Sequence, residues 1–185
     1  MTAFRLRAIL TAYRQVMEAS WPALHPSMPA RAVGWASGSD AELQSDLDDL
    51  LREASLPSCV VRVFWKTGPQ FVFGGCNALF AKDAGFADPK DLIGLNDFDP
   101  RVPWMPQAAK YRADDTQVVV SGSAKLDILE RQKSAVGMVW VRAGKAPIRL
   151  NTGEVIGIFG MYEVMDDTAG GSLFAARQGP GTPPS

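Results

Sequence analysis

Few residues in this chain could do covalent chemistry. There is one histidine, His25, in a Pro-flanked stretch between Pro22 and Pro26. A nucleophile–His–carboxylate relay would have to be built on that imidazole, but its setting reads as a surface or cap position. Asp114 and Asp115 are adjacent in a helical run, so their side chains diverge by about 100° and do not form a paired acid site. At least one of them reads as part of a solvated face. Gly157-x-x-Gly160 lies inside a strand-like run with no helix after it, so it is not a phosphate loop. Asp97 and Asp99 sit in a Pro-rich loop, where they can cap short helices or bond loop amides. Cys76, beside Asn77, reads as a small buried apolar residue, with a thiolate haem ligand as the alternative. No catalytic and no metal-ligating constellation emerges, and a non-enzymatic protein is expected.

Composition narrows the class further. Nineteen basic and 20 acidic residues give a formal charge of −1, so no basic face for nucleic acid is implied. A hydrophobic share of 46% supplies a true core, which excludes a disordered chain. Cys59 and Cys76 are too few for a disulfide scaffold or a Cys-type zinc site. No stretch reaches the length of a membrane span. The N-terminal run is broken by Tyr13, Arg14, Gln15 and Glu18, and reads as a helix rather than a signal peptide. A cytoplasmic setting without membrane association follows as the expectation.

The elements that would hold these residues can be read in order. Residues 4–19 place Phe4, Ile9, Tyr13, Val16 and Met17 near one side of a helix, which Trp21-Pro22 ends. Residues up to Ser37 read as irregular. Ser39-Asp40-Ala41-Glu42 has capping-box spacing. It opens a second helix to Ala54, with Leu43, Leu47, Leu50 and Leu51 on one face and Pro57 closing it. Val61, Val63 and Trp65 alternate with Arg62, Phe64 and Lys66 in a strand. Gly68-Pro69 turns the chain into Phe71-Val72-Phe73, and Asn77 stands as the N-cap of a following helix. Short helices and a Pro-rich loop lead to a longer helix over 107–121, which Gly122 ends. Three strand-like runs follow, Lys125–Arg131, Gly137–Ala143 and Val155–Val164, joined as an antiparallel meander. The Gly/Pro/Ser-rich remainder reads as a mobile tail.

One ordered set of motifs carries a resemblance. F-W-K-T-x(3)-F-x-F-x-G-C-N-A-L-F-A-x(3)-G, from Phe64 to Gly85, is similar to the opening of a PAS domain of bacterial sensor proteins. I-G-L-N-D-F-D at Ile93 to Asp99, Y-R-A-D-D at Tyr111 to Asp115, Trp140, K-A-P-I at Lys145 to Ile148 and G-E-V-I-G-I-F-G at Gly153 to Gly160 continue it in order. The resemblance spans Val60 to Val164. It implies an α+β fold, a PAS-like five-stranded antiparallel sheet curled around central helices, with a pocket between sheet and helices. Residues 1–57 then form an N-terminal helical cap or dimerisation segment, 58–166 the sensory domain, and 167–185 a flexible tail. The light-sensing branch of the family carries Asn-Cys-Arg-Phe-Leu later in the domain. No such run exists here, so Cys76 is not expected to be a flavin-reactive thiol.

Aromatic residues on both faces of the first strand mean that one face lines the helices and the other is covered by the N-terminal helices or by a second subunit. Ligand contacts are expected from Phe73, Tyr111, Ile128, Trp140 and Phe159, with Asn77 or Arg112 as polar anchors. The same residues could instead fill the interior and leave no cavity. The functional expectation is a sensory or regulatory protein that binds a small ligand and relays it by protein–protein contact. It would be a homodimer with a downstream signalling partner and an unassigned cofactor. A purely structural dimerisation module and a flavin or haem redox sensor stand as alternatives.

Overall fold

The computed structural model describes residues 1–56 and 58–179. The order is α1 (Ala3–Ser20), α2 (Met28–Val33), α3 (Asp40–Ala54), β1 (Val61–Thr67), β2 (Val72–Cys76), α4 (Ala78–Asp83), α5 (Ala108–Ser121), β3 (Lys125–Ser134), β4 (Gly137–Arg149), β5 (Val155–Met165) and α6 (Asp167–Gln178). The five strands make one sheet in the order β2-β1-β5-β4-β3, with every neighbouring pair antiparallel. This is the α+β architecture with helices gathered on the sheet faces.

Register sorts the side chains into two cores. In β1, Phe64 and Lys66 face α4 and α5, while Val61, Val63 and Trp65 face the other way. Trp65 pairs with Phe159 across β1 and β5, so Phe159 shares its face. The inner core adds Phe73, Phe80, Trp104, Tyr111, Val141, Ala143, Ile158 and Tyr162.

The outer core is closed by the chain's own N-terminus. Leu6, Ile9, Leu10, Tyr13, Val16 and Met17 of α1 are buried there, with Leu43, Leu47 and Leu50 of α3 and with Val63, Trp65, Phe159 and Met161 of the sheet. Burying each such large side chain is worth about 1.5–3 kcal/mol, so α1 is an integral layer of the fold. Ser39 accepts from the Glu42 amide, and the Glu42 carboxylate accepts from the Ser39 amide, which completes the expected capping box.

The glycines of β2 and β5 mark close approaches. A Cβ on Gly75 would stand 2.2 Å from the Trp65 ring, and one on Gly157 would stand 2.0 Å from the Lys66 carbonyl oxygen. Gly74-Gly75 therefore accommodates the indole that lies across β2.

Two segments differ from the sequence expectation. Residues 21–37 are not irregular throughout: Met28 is buried and anchors α2, whose first turn tolerates Pro29. Residues 167–178, expected as flexible tail, form α6. Its N-cap Asp166 accepts from the Ala169 amide at 2.7 Å, and Phe174 meets the Trp140 ring at a centroid distance of 5.3 Å. The rest of the expected tail, from residue 180, and the helix-closing Pro57 lie outside the described residues.

Candidate functional site

A small, partly open space lies between the inner sheet face and the helices. Its volume is about 30 Å³, and its walls include Phe64, Phe73, Phe80, Trp104, Tyr111, Ala143 and Tyr162. The polar lining is Lys66 from β1, Asp97 from the loop after α4, Glu130 and Gln132 from β3, and Lys145 from β4. A space of that size holds one or two waters. Anything larger requires the aromatic walls to part.

The charged residues are joined in a buried network. Lys66 Nζ donates to Asp97 Oδ2 at 2.5 Å and to Asp115 Oδ2 at 2.7 Å. Lys145 Nζ donates to Asp115 Oδ1 at 2.7 Å, and the Trp104 indole donates to Asp97 Oδ1 at 2.8 Å. Two cations and two anions neutralise one another, which is what allows them to be buried at all. Lys66 Nζ also lies over the faces of Phe64 and Phe73, and Lys145 Nζ over Tyr111.

Electrostatics fix the charge states. Burial alone would raise the Asp115 carboxyl, but Lys66 and Lys145 outweigh it and hold the group below its ordinary value. Burial would lower the Lys66 ammonium, but Asp115 and Asp97 raise it above its ordinary value. Asp115 is locked between two lysines and Asp97 is bonded to Lys66 and Trp104, so neither stands as a free general base.

A second polar group spans β1, β3 and β5. The Tyr162 hydroxyl donates to Asp83, and Arg62 holds the same carboxylate through two nitrogens. Gln132 in turn donates its amide to the Tyr162 oxygen at 3.2 Å.

The expected ligand contacts divide by location. Phe73 and Tyr111 line the cavity. Ile128 packs at the margin of the inner core without reaching the lining. Trp140 and Phe159 are turned to the opposite side of the sheet, Trp140 beneath α6 and Phe159 beneath α1 against Tyr13 and Trp65. Asn77 does not reach the lining. Its oxygen accepts from the Val63 and Phe80 amides and its nitrogen donates to the Val61 carbonyl, so it ties α4 to β1. Arg112 stacks on Phe98 at 4.4 Å and donates to the Gln70 carbonyl at the surface. Apart from Phe73 and Tyr111, no lining residue is among the expected ligand contacts, and the polar ones missed are Lys66, Asp97, Glu130, Gln132 and Lys145. The alternation of Phe64 with Lys66 carried the signal for the first of these.

Cys76 is buried and stands outside the lining. Burial pushes its thiol up to about 12, so it is neutral and unreactive at physiological pH. Among the described residues no group of three or more His, Cys, Asp or Glu could hold a metal ion.

Comparison with solved structures gives the architecture its name. A light-oxygen-voltage domain bound to a flavin analogue superposes with a TM-score of 0.52 at 15% identity, over 72% of this chain and 94% of its own. The chain has a PAS fold. VqmA bound to DPO superposes with a TM-score of 0.56 at 23% identity, over 66% of this chain and 59% of its own. The Vibrio cholerae VqmA dimer without target DNA gives 0.56 at 23%, over 66% and 52%. The PAS chain thus spans about half to three fifths of the length of these VqmA proteins. No protein-family model and no curated protein matches it. No helix among the described residues is long and apolar enough to cross a membrane.

Proposed function

We propose that this PAS domain is a sensory module that binds a small ligand in the cavity between its sheet and helices and relays occupancy by contact with another protein. The observation that carries the reading is the cavity itself: aromatic walls enclosing a few fixed polar groups, on a buried ion network. That combination characterises small-molecule sites. VqmA is captured with DPO on the same fold, which supports the reading. VqmA is also a dimer, and a homodimer with a downstream protein partner is the assembly through which this chain would signal. A ligand changes such an assembly only through unequal affinity for two states.

A flavin or haem fits less well. The lining contains no His, Cys or Met to ligate haem iron, and a flavin or haem requires the aromatic walls around the space of about 30 Å³ to part much further than a small ligand does.

Native mass spectrometry tests the proposal. Protein purified under mild conditions is expected to retain a small molecule. Tyr111→Ala should lose it while staying folded, and Trp140→Ala, altered on the far side of the sheet, should keep it. A bare protein mass in every preparation refutes the sensor reading and favours the structural module.

A further inference from the structure

Around the cavity, Lys66, Lys145, Asp97 and Asp115 neutralise one another. One ionisable group is left over. Glu130 sits on the inner side of β3, opposite Val141, and is 7% exposed. Its Oε2 is buried and accepts no hydrogen bond. Lys110 Nζ lies 2.7 Å away, so the ion-pair distance is met without hydrogen-bond geometry. The Lys110 side chain is 53% exposed and can return its ammonium to water.

Gln132, two residues on, adds a second acceptor. The Tyr162 hydroxyl gives its proton to the acceptor-only Asp83 carboxylate, so it must receive one from Gln132. This fixes the amide with Nε2 toward Tyr162 and its oxygen turned away. Glu130 also lines an outer groove of about 430 Å³ with Gln107, Lys110, Trp140 and Phe174. The Lys110–Glu130 pair therefore stands between solvent and the inner space.

We propose that the cavity, when its aromatic walls part, selects a small planar cation rich in N–H groups, of the amidine or guanidine kind, which docks on Glu130 in place of Lys110. This rests on the cavity being a ligand site. A buried cation needs a paired anion, and Glu130 supplies it without breaking the lysine–aspartate network. The ring faces of Phe80 and Trp104 favour positive charge, those of Phe73 and Tyr111 being met already by Lys66 and Lys145. An anion would meet Glu130, while Lys66 is already committed to two carboxylates.

Three isosteric probes separate the possibilities: benzamidine, benzamide and benzoate, titrated against the whole chain. The readout is the indole N–H resonance of Trp104, which lies in the cavity wall. Benzamidine is expected to shift it with an affinity at least tenfold above those of benzamide and benzoate. Glu130→Gln should remove that preference, and Lys110→Ala should strengthen benzamidine binding by removing the competing ammonium. Equal affinities for the three probes, or a preference that survives Glu130→Gln, overturns the proposal and leaves the ligand site standing. No response of Trp104 to any of the three overturns the ligand site with it.

Discussion

Removing the Asp115 carboxylate leaves the buried Lys145 ammonium without the anion it donates to, while Lys66 keeps only Asp97. Breaking a buried pair by deleting one partner costs about 3–5 kcal/mol, because the surviving charge is uncompensated. Asp115→Asn is therefore expected to lower the urea midpoint by that equivalent, and an unchanged midpoint would show the network to be energetically idle. The pH signs follow from the same contacts. Asp115 is held below its ordinary value, so its contribution is present above the unfolded carboxyl range and is lost as pH falls through its folded value. Lys66 is raised, so its contribution is present below the unfolded value of 10.5 and is lost as pH rises through its folded value. The network is intact across the neutral range between them. The sequence made Lys66 visible as the inward alternate of Phe64. It hid Asp115, because one of two adjacent helical aspartates looks like the other until the helix is docked: Asp114 pairs with Lys125 near the surface, and Asp115 does not reach it. Trp140 and Phe159 were expected to line the cavity because an apolar strand with glycines gives no parity of its own. Pairing with β1 sets it, and puts Phe159 opposite Trp65.

At the scale of elements, α6 shows where composition misleads. AGGSLF reads as mobile because glycine disfavours a helix interior by about 1 kcal/mol. Tertiary contact overrides that preference: a Cβ on Gly170 would stand 2.3 Å from Trp140, so the glycine is what lets the helix lie on the ring. Arg177 then binds Asp127 at 2.7 Å. Gly170→Ala, a gain by propensity alone, is expected to lift α6 from β4 at a cost of about 1–3 kcal/mol. Hydrogen exchange should accelerate over residues 169–178 and stay unchanged in β5. Equal protection in both proteins would mean that the contact does not seat the helix. By contrast, α3 and the first hairpin were legible, because a capping box, a leucine stripe and a two-residue alternation are local signals.

For the whole molecule, the decisive feature is the layer formed by α1 and α3. The sequence left open whether the sheet's outer face meets these helices or a second subunit, since two amphipathic helices satisfy either. The structure seats α1 there, with Tyr13 against Phe159. A chain starting at residue 58 would expose Val61, Val63, Trp65, Phe159 and Met161 together, and is expected to form larger aggregates than the full chain does. Light scattering of the two proteins checks this.

One titratable group inside the layer makes it acid-sensitive. His25 bonds Tyr13 of α1 at 2.7 Å and faces Glu53 of α3, with Arg31 of α2 and Asp46 of α3 nearby. Burial lowers its pKa more than Glu53 raises it. The neutral ring is thus the folded form, and stability falls as pH drops below the unfolded value of 6.5, where only the unfolded chain readily takes up the proton. The urea midpoint should decline from pH 7.5 to 5.5 in the native chain and be flatter over that interval in His25→Gln. Parallel curves would remove His25 from the account.

Because α1 belongs to the same polypeptide as the surface it occupies, it acts as a built-in rival for that surface. The segment from Ser20 to Val61 keeps it beside that surface at a local concentration that dilution of the protein does not change. A protein that binds the covered strands must displace this resident segment first, so raising the abundance of such a partner accomplishes little until the helix lets go. Access to that side of the sheet is thereby governed from within the chain.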